Sequence, residues 1–168
     1  MILKRFSSTL ANATAKSAWK KSCYYKIDFK IKENSNVFEA VQKFSAYNIG
    51  CLAVTNKDEK VIGIISERDY ISKIALLGRS SKDTKVSEIC TFEPNLSTAK
   101  ENDNIQECMN KMLLRNVRHL LILDQESKDV VGLLSIKDLV KEVMEDKDKI
   151  IKTLGEFNIG KGAYLEHF

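Results

Sequence analysis

The chain repeats itself once, and that repeat limits its folds more than any other feature. E-N-S-N-V at Glu33 to Val37 returns as E-N-D-N-I at Glu101 to Ile105, a shift of 101 minus 33, or 68. Y-N-I-G-C-L-A-V (Tyr47 to Val54) matches R-N-V-R-H-L-L-I (Arg115 to Ile122) at the same shift. One extra loop residue then moves the register, so that G-I-I-S-E-R-D (Gly63 to Asp69) matches G-L-L-S-I-K-D (Gly132 to Asp138). Two copies are too few for a solenoid, so they are expected to pack on each other and share a core. With 168 residues, 43% of them hydrophobic, the chain is long and apolar enough to build one.

Within each copy the apolar spacing predicts a short extended lead-in, a helix from about Val37 or Ile105, and an apolar strand from Cys51 or Leu120. The polar turns N-K-D-E-K and D-Q-E-S-K-D separate that strand from V-I-G-I-I-S and V-V-G-L-L-S, which reads as a hairpin. Ser-x-x-Asp then opens a second helix. The unit is β-α-β-β-α, an α/β (α+β) fold built from two repeats. Ser66 and Ser135 stand at N-cap-like positions, and Glu67, Asp69 and Asp138 fall in first turns, where the helix dipole favours an acid. Capping alone accounts for them.

Charge is divided unevenly. The formal net charge is +4, from 27 Lys+Arg against 23 Asp+Glu. Lys4, Arg5, Lys16, Lys20, Lys21 and Lys26 all precede Asp28, the first acid, and subtracting these six leaves 21 minus 23, or −2, for the rest. A nucleic-acid-binding body, which needs a dense basic face, is therefore not expected. No apolar run approaches the roughly 18 residues of a membrane span, so a soluble protein is expected. Cys23, Cys51, Cys90 and Cys108 show neither C-x-x-C spacing nor a nearby His set, which argues against a metal site or disulfide framework and for a reducing compartment.

The acid-free stretch before Asp28, rich in Lys/Arg, Ser, Thr and Ala, has transit-peptide composition. Ile2, Leu3, Phe6, Leu10 and Ala13 recur at helical spacing, which predicts an amphipathic cationic helix and mitochondrial import to the matrix. A basic tail, or a helix docked on a partner, has the same composition. Removal of roughly the first 20 to 30 residues is expected if it is a presequence.

The two Gly-apolar-apolar-Ser-x-x-Asp signatures, with R-H-L running on to Asp124, resemble the CBS-domain family over roughly residues 27 to 146. G-R-S-S-K-D-T-K-V (Gly78 to Val86) resembles small mitochondrial proteins of plants, and bacterial relatives, that consist of a single CBS pair. Leu121 replaces a frequent Pro, Ala53 is its first-repeat equivalent, and Cys90-Thr91 replaces Met-Thr. The resemblance implies a first repeat over 27 to 87, a second over 88 to 146, and two clefts related by pseudo-twofold symmetry that bind an adenosine-containing ligand such as AMP, ADP or ATP, without a metal.

In the first cleft the resemblance places Ser66 and Asp69 opposite Arg118 and His119. A carboxylate there accepts two hydrogen bonds from a ribose diol, while Arg118 and His119 form a cationic phosphate clamp. In the second, Ser135 and Asp138 face Gly50 and Cys51, an uncharged wall, so the clefts are expected to be unequal. Arg68 and Lys137 add charge, or are solvated helix faces; Ile64 or Leu133, with Phe29 or Ile31, wall the adenine, or are plain core.

Catalysis is not expected. Only two His occur, no G-x-S-x-G or H-E-x-x-H is present, and the one G-x-x-x-x-G-K, Gly155 to Lys161, is followed by Gly162 where a phosphate-binding loop needs Ser or Thr. The expected role is a regulatory module acting on a mitochondrial partner protein; the alternative is a structural accessory subunit of a large assembly of respiratory-chain type, with ligand constitutive or absent. The second helices, Asp69 to Leu77 and Asp138 to Met144, carry Ile71, Ile74, Ala75, Leu139, Val140 and Val143, a face that a homodimer or another protein would cover. In the tail, 147 to 168, Ile150, Ile151 and Leu154 extend a helix, and Gly155, Gly160 and Gly162 loosen the chain beyond it.

Overall fold

The structure, a computed structural model, describes residues 13–162, with side chains through residue 152. The helix expected over Ile2, Leu3, Phe6 and Leu10 lies outside the described residues.

The repeat is visible in the local chemistry that starts and stops each element. Helix α2 (Val37–Tyr47) is capped by the Asn36 side chain, which accepts from the Glu39 N–H, and ends on Asn48 in the left-handed region at φ 52°. Helix α4 (Ile105–Leu114) is capped in the same way by Asn104, accepting from Glu107 N–H, and Asn116 takes φ 50° just beyond its end. Asparagine tolerates this conformation better than other side-chain-bearing residues. These helices start at the positions that the apolar spacing predicts.

Strands β1 (Lys30–Lys32), β2 (Cys51–Thr55), β3 (Val61–Ser66) and β4 (Thr91–Phe92) form one sheet in that order, and β5 (Thr98–Lys100), β6 (His119–Leu123) and β7 (Val130–Ser135) form the other. The lead-in strands pair parallel, β1 with β2 and β5 with β6, and the hairpins pair antiparallel. Register aligns Cys51 with Ser66 and His119 with Ser135, and the irregularities at Val54/Thr55 and Ile122/Leu123 are equivalent. Strand β2 is buried along its whole length, as a run without polar alternation requires.

Residues 13–26 are part of this architecture and not a free extension. Helix α1 (Ala15–Lys21) and the 3-10 turn Cys23–Tyr25 pack on the second repeat. Ala15 and Lys16 N–H donate to the carbonyls of Asp103 and Glu101, and Ile105 N–H donates to Ala13. The inter-repeat segment does the same for the first repeat: Val37 N–H donates to Thr84, and Val86 and Ser87 N–H donate to Ser35 and Glu33. Each repeat is therefore closed by the segment that leads into the other. Ala15 and Ala18 are fully buried, and Trp19 touches both hydrophobic clusters.

Helix α3 (Glu67–Tyr70) runs on through a wider π-type turn, Ile71–Ala75, whereas α5 spans Ile136–Gly162 without a break. The expected loosening at Gly155 and Gly160 does not occur. Glycine's helix propensity, about 1 kcal/mol below that of alanine, is a preference and not a stop signal, and it does not end the helix here. Of the helix face expected to await a partner, Ile74 and Leu139 are already buried within the chain, while Ile71, Ala75 and Val140 are exposed and Val143 is half-buried. Among the described residues no helix is long and apolar enough to cross a membrane.

Candidate functional site

The first cleft opens where β3 hands over to α3. Ser66 caps the helix: its N–H and hydroxyl donate to Asp69 Oδ2 at 2.9 and 2.7 Å, and Asp69 N–H donates back to Ser66 Oγ at 3.4 Å. The other carboxylate oxygen, Oδ1, accepts from Lys73 Nζ at 2.7 Å. Across from this cap the other repeat brings up the loop after α4 and the start of β6, with Arg68 Nη1 donating to the Asn116 carbonyl at 3.5 Å. Between them lies a cavity of about 220 Å³ whose lining includes Ile64, Ser66, Arg68, Asp69, Arg118 and His119. All six residues expected in the first cleft meet there.

Sequence reading missed part of the wall. Thr91, Asn95 and Ser97, from the start of the second repeat, also line this cavity, and the Ser97 hydroxyl is buried without a hydrogen-bond partner. Thr91 falls in the Cys90-Thr91 pair, but all three stand outside both Gly-apolar-apolar-Ser-x-x-Asp signatures, and nothing in the sequence marks Asn95 and Ser97. Cys51, expected on the wall of the second cleft, lines the first, as its register with Ser66 dictates. Burial, with the Asp69 carboxylate nearby, pushes its thiol well above the usual range, so it presents a neutral S–H.

His119 is not half of a cationic clamp. Burial first, and the adjacent Arg118 guanidinium second, lower it to about 4, against an opposing pull from Asp138. At neutral pH its ring is an uncharged donor and acceptor. The cations facing the cavity are Arg68 and Arg118, one from each repeat, both with exposed side chains.

The second cleft departs further from expectation. Ser135 caps α5 as Ser66 caps α3, with its N–H and hydroxyl donating to Asp138 Oδ2 at 2.8 and 2.5 Å. A cavity of about 190 Å³ is lined here by Ser135 and Lys137 together with Gly50, Glu67, Arg118, His119 and the N-terminal residues Cys23 and Tyr24. Asp138 and Leu133 are not in that lining. Leu133 is fully buried in the core, and Asp138 is turned to the side where α1 meets α5, beside Lys21 and Glu142. The expected uncharged wall is not found, since Glu67, Arg118 and Lys137 line this cleft and Cys51 lines the other; the clefts differ through the packing of the N-terminal segment.

The family model of the CBS domain matches residues 27–76 and 86–145. The chain belongs to the CBS-domain family. This CBS pair is 33% identical over 126 residues to the mitochondrial CBS domain-containing protein CBSX3 of Arabidopsis thaliana, a match covering 74% of this chain and 60% of that protein. It thus spans about 60% of that relative's length. Among solved structures, one described as a CBS domain is 39% identical, with a TM-score of 0.68, covering 78% of this chain and 97% of the other. A CBS domain protein of Pyrobaculum aerophilum solved with AMP shares the fold at 22% identity, with a TM-score of 0.58, over 65% of this chain and 80% of that one.

Proposed function

We propose that this CBS pair is a non-catalytic regulatory module that binds an adenine nucleotide, AMP, ADP or ATP, in its first cleft and passes the occupancy to a mitochondrial partner protein. The carrying observation is one cavity that joins a helix-capping carboxylate, Asp69, to guanidinium groups from both repeats, Arg68 and Arg118. A ribose diol needs an acceptor and a phosphate needs cations, at the distance a nucleoside sets between them. Ile64 gives the base an apolar side, and Ser97 offers an unused hydroxyl. The AMP bound by the Pyrobaculum protein supports the ligand class.

Mitochondrial location is supported by the Arabidopsis relative, and import to the matrix by the acid-free segment that precedes the folded residues. A partner, or a second copy of this chain, is drawn to the exposed apolar side chains Ile71, Leu76, Leu77, Val140 and Met144. Calorimetry on the full chain with AMP, ADP and ATP tests the ligand: saturable binding that Asp69→Ala weakens is expected, and no binding of any of the three overturns the reading. Recovery of partner from a mitochondrial extract should change with nucleotide, since a ligand with equal affinity for both states shifts nothing. Unchanged recovery at saturation would sink the regulatory half of the proposal.

A further inference from the structure

We infer that the second cleft carries its own occupant: the ring of Tyr24 stands where a nucleotide base would lie, so the chain takes one nucleotide, in the first cleft, while residues 22–26 stay docked. This rests on the nucleotide reading of the first cleft and extends it to the second.

The two halves of the repeat make the comparison. Ile64 and Asp69 keep a face on an open cavity, whereas their equivalents Leu133 and Asp138 are buried. Leu133 shares one buried cluster with Phe29 and Tyr24. Those are the residue expected to wall the adenine, its lead-in neighbour, and an aromatic ring from outside the repeat. Tyr24 is only 2% exposed although Cys23 and Tyr25 on either side of it are exposed.

Its ring meets His119 edge-on, with centroids 6.1 Å apart. The hydroxyl is buried beside the Gly50 and Cys51 backbone without a bond of normal geometry. A plain core position would favour Phe, which buries no unpaired oxygen. The turn is held from outside by Lys21, paired with Glu142 at 2.6 Å and Glu145 at 3.0 Å, and by Trp19, which lies against Gly132. What remains of the mouth is lined by Glu67 together with the cations Arg118 and Lys137, so it is the loss of the base position, and not charge, that closes this cleft to a nucleotide.

Calorimetry on the full chain with AMP as probe decides it. Wild type should bind one AMP, and Asp69→Ala should weaken that binding by about 10- to 100-fold. Tyr24→Ala should bind two, while Tyr24→Phe, which keeps the ring, should stay at one. Two sites in wild type, or no gain in folded Tyr24→Ala while the Asp69-dependent site persists, overturns the inference and leaves the first-cleft reading standing. A gained site in Tyr24→Ala when wild type binds nothing sinks the first-cleft reading and supports the occupant; no binding by either protein overturns both. Should Tyr24→Ala fail to fold, NMR on wild type reads the same point: cross-peaks between the Tyr24 and His119 rings should persist at AMP saturation, and their loss overturns the inference.

Discussion

Lys73 Nζ lies 2.7 Å from Asp69 Oδ1, one helical turn beyond the cap that Ser66 makes to Oδ2, so both oxygens of the carboxylate are engaged before any ligand arrives. Lys73 also donates to the Ile89 carbonyl, which ties α3 to the segment leading into the second repeat. Under the proposed function, a ribose diol entering the cleft would meet a carboxylate already fixed in orientation, which would lower the ordering cost of binding and couple that contact to the position of Ile89.

The division of labour in the cleft is testable with adenosine and AMP together. A charge-assisted hydrogen bond is worth about 1.5–3 kcal/mol, or roughly 10- to 100-fold in affinity. Asp69→Ala should weaken adenosine and AMP alike by about that factor, because the lost contact is to ribose. Arg118→Ala should weaken AMP and spare adenosine. Asp138→Ala should leave this site unchanged. Calorimetry on the three variants checks it, and equal weakening of adenosine and AMP by Arg118→Ala would remove the phosphate role.

Much of this was legible in the sequence because it is local. Asn36 and Asn104 cap helices at positions the apolar spacing marks, and Gly-apolar-apolar-Ser-x-x-Asp encodes a strand, a cap and a first-turn acid in seven residues. The first cleft follows from it once two copies face each other. Residues 13–26 were opaque for the opposite reason: their burial depends on partners far along the chain, such as Asp103 for Ala15 and His119 for Tyr24, and their composition resembles an import signal. The charge state of His119 was hidden in the same way, since burial is a tertiary property.

The depressed His119 fixes the sign of a pH effect. A histidine in the unfolded chain titrates near 6.5, and in the folded chain this one titrates at about 4. Between those values the unfolded chain binds the extra proton, so the stability contributed by neutral His119 is full above pH 6.5 and is lost as pH falls toward 4. From pH 7 to pH 5 the loss is about 2 kcal/mol. Urea midpoints for wild type and His119→Phe at both pH values should show the smaller drop in the variant. Equal drops would mean that the ring is not buried uncharged.

Gly132 has no room for a side chain, because an added Cβ would sit 2.5 Å from Trp19 Cε2. Gly132→Ala must push Trp19 outward, at a cost of about 1–3 kcal/mol for overpacking. Trp19 is the single tryptophan, so its emission reports the displacement directly. A red-shifted spectrum and a lower urea midpoint are expected. An unshifted spectrum at wild-type stability would show that α1 does not rest on β7.

Processing is constrained by the same contacts. Cleavage after any residue from Lys21 to Lys30 would strip the buried Ala15 and Ala18 and the partly buried Trp19 from their clusters and remove the Lys21 pairs to Glu142 and Glu145. Removing a packed Trp alone costs about 3 kcal/mol or more, a large part of the stability of a domain this size. Any presequence removed from the folded protein should therefore end before Ala13, which is shorter than the roughly 20 to 30 residues that composition suggests. N-terminal sequencing of the native protein checks this, and a chain starting at Asp28 should melt at lower urea than one starting at Ala13. A native N-terminus between residues 20 and 30, on a protein no less stable than the longer chain, would show that α1 is dispensable to the fold.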